Sequence, residues 1–238
     1  MIKKIIMRKI FHFLLIAVTL QSCVSIRTTT KRESKTVTNQ TQSVNNPLLQ
    51  YMAIVLGVGK SWIGGKNAGE SWKDPVGGQI GVETKFIEFN ENLSLNGGIN
   101  FSFQGADYKE HGSYDDYLID TYDLSGKVCL NYVNIPVLIN YKTNSGFYGE
   151  TGLQPGFLVR ARDKIDGGEN FDSKEYVNSF ELALPLGAGY HINDQISVGA
   201  RATIGLTNLS EWGTGHKDHN YLVMGVVRYN FGSLFKTD

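Results

Sequence analysis

The sequence predicts an all-β fold, an eight-stranded antiparallel up-and-down transmembrane β-barrel, on three observations. Apolar and polar residues alternate with a period of two in repeated runs. The connections between runs are alternately short and long, and a basic then apolar N-terminus precedes them all. A period of two sends successive side chains to opposite faces of a strand, where a helix would repeat every 3.6 residues.

The N-terminus reads as an export signal. Lys3, Lys4, Arg8 and Lys9 are basic, and Ile10–Leu20 is almost wholly apolar. At about 1.5 Å per residue this run gives roughly 16 Å of helix, too short to span a bilayer. Residues 1–22 are therefore expected to be a signal peptide. Leu20-Gln21-Ser22-Cys23 resembles a lipobox, in which Cys23 becomes the lipidated first residue; ordinary cleavage after Ser22 is the alternative. Residues 23–50 are rich in Thr, Ser, Asn and Gln without periodicity, as a disordered polar tether would be. Residues 51–238 are one domain by length.

Eight alternating runs follow, at 51–61, 77–89, 93–107, 127–142, 147–160, 178–192, 195–207 and 220–231. In the third, Leu93, Leu95, Ile99, Phe101 and Phe103 oppose Ser94, Asn96, Asn100, Ser102 and Gln104. In the seventh, Ile196, Val198, Ala200, Ala202, Ile204 and Leu206 oppose Ser197, Arg201 and Thr203. Short turns fall at 90–92, 143–146 and 193–194, and long polar stretches at 62–76, 108–126, 161–177 and 208–219. Short turns at one end and long loops at the other are the pattern of an outer-membrane barrel. An open sheet of this size would expose two edges, so closure is expected.

The polar face carries Glu83, Lys85, Glu150, Arg160, Glu181, Arg201 and Arg228 among glycines such as Gly81, Gly98, Gly187 and Gly199. Small residues and mixed charges suit a narrow interior in which opposite charges pair. Glu83, Lys85, Glu150, Glu181, Arg201 and Arg228 are thus the expected lumen charge network, and Leu, Ile, Val and Phe would face lipid. Phe86, Phe89, Tyr141, Phe147, Tyr190, Tyr229 and Phe231 near strand ends suit an interfacial girdle. A soluble barrel reverses this, with its apolar face lining a ligand cavity. Eight strands leave an interior filled by side chains, so no open pore is expected.

Charge excludes some functions. The chain has 23 Lys+Arg and 23 Asp+Glu; without residues 1–22, which hold four basic and no acidic residues, 19 stand against 23, a net −4. Nucleic-acid binding needs a basic surface. Two cysteines, Cys23 and Cys129, do not make a disulfide framework, and Cys129 is expected a membrane thickness away from the tether.

Several motifs are weak. Ile54–Ser61 (IVLGVGKS) ends in Gly-Lys-Ser, but Ile54 occupies the position where a phosphate-binding loop needs glycine, and turn residues rather than a helix follow. No nucleotide site is expected. His111-Gly112-Ser113 and His216/His219 lie in loop segments with nothing to fix a nucleophile against its base. They are read as solvated, leaving no catalytic, cofactor or metal site. Asp107, Glu110, Asp115, Asp116, Asp120 and Asp123 make the second long stretch acidic, which suits solvation or a divalent cation bridging to lipopolysaccharide. Trp62, Trp72 and Trp212 are read as rim anchors.

From Tyr132 the chain reads YVNIPVLINY and, after a turn, FYGETGLQPGFLV; later come LGAGYHINDQISVGARATIGLTNL and VVRYNF. These segments resemble the PorT-like family of small outer-membrane β-barrels common in Bacteroidetes, over essentially residues 51–231. The resemblance implies an eight-stranded outer-membrane barrel, usually without a known ligand. The founding member's association with type IX secretion is not carried across, because no residue here identifies it. The expectation is an outer-membrane protein with both termini periplasmic and a structural or interaction role through its long loops. Its expected partners are outer-membrane lipid and envelope or secretion-machinery proteins. A lipid-anchored periplasmic ligand-binding barrel and an outer-membrane hydrolase are the alternatives.

Overall fold

The computed structural model describes residues 50–65, 75–113, 121–166, 168, 170–209 and 217–232. The signal peptide, Cys23 and nearly all of the tether lie outside these residues. Ten strands run in chain order: β1 (Ala53–Gly65), β2 (Val76–Glu88), β3 (Leu93–Ser113), β4 (Thr121–Asn134), β5 (Val137–Lys142), β6 (Phe147–Ile165), β7 (Asn170–Asp172), β8 (Phe180–His191), β9 (Ile196–Gly205) and β10 (Asp218–Asn230). β4 and β5 form one stave and β7 only flanks β6, leaving eight staves, each antiparallel to its neighbours. β1 pairs with both β2 and β10, which closes the barrel and removes the exposed edges.

The single run expected at 127–142 is broken at Ile135-Pro136. Proline has no N–H for the ladder. The strand makes a local detour there, with Ile135 N donating to the Pro155 carbonyl and Gly98 N to that of Pro136. The short turns are stapled by their own side chains. Asn90 Oδ1 accepts from Asn92 N and Leu93 N, and Asn193 Oδ1 accepts from Gln195 N and Ile196 N. This side-chain mimicry of a backbone turn is what asparagine supplies. In the third turn Gly146 takes a positive φ of 93°.

At the other end two expectations need correction. The stretch 108–126 is not all loop, because β3 and β4 stay paired out to Ser113 and Thr121. Nor is 161–177, where β6 runs on to Ile165 and β7 folds back beside it. Backbone pairing does not require apolar alternation. Once both faces of a hairpin meet water, the hydropathy pattern ends before the strand does.

The outer face is apolar. Val58, Ile80, Ile99, Val137, Phe147, Leu153 and Val223 are exposed, whereas Gln79, Asn100, Ser102, Asn134, Gln154, Thr203 and Asn220 are buried. A soluble barrel around an apolar cavity requires the opposite arrangement, so that reading is overturned. The girdle residues Phe86, Phe89, Tyr141, Phe147, Tyr190 and Tyr229 are exposed around the short-turn end.

Candidate functional site

The interior is layered. At the short-turn end a polar vestibule of about 280 Å³ is lined by Tyr51, Lys85, Asn140, Tyr148, His191 and Arg228, among others. Its inner limit is a compact ion cluster drawn from four staves, β2, β6, β9 and β10. Arg201 Nε donates to Glu150 Oε1 at 2.8 Å, and its terminal nitrogens donate to Glu83 Oε1 and Oε2 at 2.8 and 3.2 Å. Arg228 donates to both Glu150 oxygens at 2.8 and 2.7 Å, to Glu83 Oε2 at 3.2 Å and to the Tyr148 hydroxyl at 2.7 Å. Asn100 adds a donor to Glu83 Oε1.

Two guanidiniums and two carboxylates make the cluster neutral. It is also deeply buried, Arg201 being 1 % exposed. Charge in a low-dielectric interior is tolerated only when it is paired and its hydrogen-bonding capacity is met. The forked guanidinium meets the second condition, since it can grip two carboxylates at once. Glycine makes the room: a Cβ on Gly187 would lie 2.6 Å from Glu150 Oε1, and one on Gly199 would lie 2.6 Å from the Tyr148 hydroxyl.

Glu181 does not join the arginines, although it lies on the stave between those of Glu150 and Arg201. It accepts from Asn220 Nδ2 at 2.8 Å beside the Tyr132 hydroxyl, and no described salt bridge reaches it. Lys85 stays at the vestibule rim, paired with Glu88 at 2.8 Å and 4.1 Å from the Tyr51 ring centre. Arg160 is not inside at all. A bulge in β6 at Val159, where the pairing passes from Arg160–Asn131 to Leu158–Tyr132, breaks the alternation there, so Leu158 and Ala161 point inward and Arg160 is exposed.

Toward the extended-hairpin end the lumen is plugged by Ile63, Ala106, Leu130, Tyr132, Leu158, Ala161 and Val177. Beside the plug, Ser61 Oγ donates to the Gly105 carbonyl and accepts from Gly105 N, both at 3.0 Å. This hook joins β1 to β3 across Gly77 of β2, where a Cβ would lie 2.9 Å from that of Ser61. Gly105 has φ 153°, and a Cβ there would run into the Val128 carbonyl. The plug and hook escaped the sequence reading. The signal for the hook was a small residue on each of three neighbouring strands, Ser61, Gly77 and Gly105.

The weaker motifs have ordinary places. Gly59-Lys60-Ser61 lies in extended β1. His219 Nδ1 is 3.0 Å from the Thr207 carbonyl. Trp62 stacks on Tyr221 with ring centres 5.3 Å apart, and Asp107 pairs with Lys127 at 3.5 Å. Cys129 carries a free thiol, half-buried. Trp72, Trp212, His216, Asp115, Asp116 and Asp120 lie outside the described residues, as do the side chains of Glu110, His111, Ser113 and Asp123.

Several solved structures are similar to the chain at low identity. Neisserial surface protein A (NspA) is 11% identical, covering 76% of this chain and 97% of its own, with a TM-score of 0.47. Ail, the attachment invasion locus protein of Yersinia pestis, solved with the heparin analogue sucrose octasulfate, is 17% identical, covering 74% and 96%, with a TM-score of 0.40. The translocator domain of autotransporter NalP from Neisseria meningitidis is 12% identical, covering 76% and 88%, with a TM-score of 0.30. None of the curated proteins matches the chain. The model of the outer membrane protein beta-barrel domain matches residues 66–211, more than half of the 238, and the chain belongs to that family.

Proposed function

We propose that this outer-membrane barrel is a non-catalytic platform whose extended hairpins meet partners outside the cell, with both termini in the periplasm, in the manner of the PorT-like barrels. The observation that carries the reading is the contrast between the barrel's two ends. The short-turn end finishes in tight turns stapled by asparagine side chains. At the other end β3, β4 and β6 continue beyond the plug as paired, polar strands. An interior filled by an ion cluster and an apolar plug leaves the outer wall and the hairpins as the surfaces through which the protein can act. Lipid is the partner of the wall, and an envelope or secretion-machinery protein is the partner of the hairpins.

An even number of staves puts both ends of the barrel on one side, and long connections in such barrels face outward. Epitope tags inserted between Gly65 and Pro75, or at Gly168, are expected to bind antibody on intact cells. A tag after Asp238 is expected to bind only after permeabilisation. Surface labelling of the C-terminal tag alone would refute the orientation. Capture of crosslinked envelope proteins by the wild type, lost when 110–124 is shortened to a tight turn, tests the hairpin role.

A further inference from the structure

Five cations gather on the outer wall where β4, β6 and β7 leave the apolar belt. Arg160, Arg162 and Lys164 alternate along β6 and are all exposed. Same-face neighbours on a strand are about 6.6 Å apart, so the three make a cationic row about 13 Å long. Lys127 of β4 stands directly opposite Lys164. Lys174, just after β7, donates to the Val159 carbonyl at 3.4 Å, which brings its ammonium to the level of Arg160.

The described acidic neighbours offset part of this charge without forming an ion pair to the β6 row. Asp107 is spent on Lys127, and Asp163 points the other way to accept from the Tyr108 hydroxyl at 2.9 Å. Asp166 takes the Ser125 hydroxyl, and Asp172 stands opposite Arg162 but accepts from Lys174 N. Among the described residues no ion pair involves Arg160, Arg162 or Lys164. Like charges facing each other across a strand pair are destabilising; Lys127 is compensated by Asp107, which leaves Lys164 opposite it without an ion pair among the described residues.

Immediately toward the barrel's middle the same wall carries exposed Phe103, Val159 and Phe180. A cationic row directly above an apolar belt lies at the depth of lipid headgroups, with acyl chains against the belt below it. We propose that Arg160, Arg162 and Lys164, flanked by Lys174, bind the phosphorylated headgroup of an anionic glycolipid in the leaflet at this end. Arginine forks match phosphate oxygens in pairs, and the lysines add point charges. The site rests on the belt being embedded in lipid, not on what the hairpins bind.

The test places purified barrel in phosphatidylcholine nanodiscs containing diphosphoryl lipid A and reads lipid retention by native mass spectrometry. Dephosphorylated lipid A and free inorganic pyrophosphate serve as separate arms. The R160Q/R162Q/K164Q variant changes only exposed side chains, and heat-modifiable migration verifies its fold; K142Q, exposed at the short-turn end, is the control. Wild type and K142Q are expected to retain the diphosphorylated lipid saturably, and the triple variant about tenfold more weakly. Retention is expected to fall with added salt. Equal retention by the triple variant, or equal retention of the dephosphorylated lipid, overturns the proposal. So does saturation by pyrophosphate alone, which would assign the row to a soluble anion. Loop tags that stay exposed on cells while lipid retention fails would overturn this inference and leave the platform reading standing.

Discussion

Replacing Arg201 with leucine tests the barrel's interior directly. The substitution keeps bulk but removes three hydrogen bonds and the charge that Glu83 and Glu150 share. Arg228 then faces two buried carboxylates alone. Breaking a buried ion pair by removing one partner typically costs about 3–5 kcal/mol, because the remaining charge is stranded. Ile204→Ala is the comparison, an outward-facing truncation on the same strand with Ile204 half-buried. A core isoleucine truncation costs about 2–5 kcal/mol, and roughly half of that is expected here because detergent covers part of the side chain. With a urea slope of about 2 kcal/mol/M, Arg201→Leu lowers the unfolding midpoint by roughly 1.5–2.5 M, and Ile204→Ala by about half as much. The assay is urea unfolding of the refolded barrel in detergent, followed by tryptophan fluorescence and heat-modifiable migration. Arg201→Leu combined with Glu150→Gln restores a one-to-one balance and is expected to recover part of the loss. A smaller loss at Arg201 than at Ile204, or a double variant weaker than the sum of its single changes, would refute the cluster's electrostatic role.

Other perturbations probe other parts of the structure. Gly187→Ala puts a methyl group 2.6 Å from Glu150 Oε1 and is expected to destabilise by about 1–3 kcal/mol. Gly149→Ala, whose new Cβ meets nothing nearer than 3.9 Å, is expected to stay within about 0.5 kcal/mol of wild type in the same urea assay. Ser61→Ala strands the buried Gly105 N–H and carbonyl, at an expected cost of about 1–3 kcal/mol. Faster amide exchange at Gly105 is the local readout. Metabolic labelling with a palmitate analogue is expected to mark the protein and to vanish in Cys23→Ala, while the barrel still inserts. Equal labelling of both would exclude Cys23 as the acylation site.

The sequence by itself determined the class of fold and which strand faces turn inward. Alternation in runs such as 93–103 and 196–206 leaves no other regular structure, and unequal connections distinguish the two ends. Charges set among glycines on one face, opposite bulky aliphatics, were enough to place Glu83, Glu150, Arg201 and Arg228 inside. Tertiary structure alone decided which charges meet. Partners across a lumen depend on strand stagger, which alternation does not encode. Thus Arg201 reaches Glu83 three staves away, while Glu181, on the adjacent stave, turns to Asn220. It also decided where alternation fails. One bulge moved Arg160 from the expected interior to the outer wall, and Pro136 divided a stave in two. Both are single-residue events whose effect is to shift or interrupt the register, and a period of two has no memory across such a shift. The extended hairpins were hidden for the complementary reason. Hydropathy records the solvent that a strand meets, whereas the strand itself is held by backbone hydrogen bonds that can form in either medium.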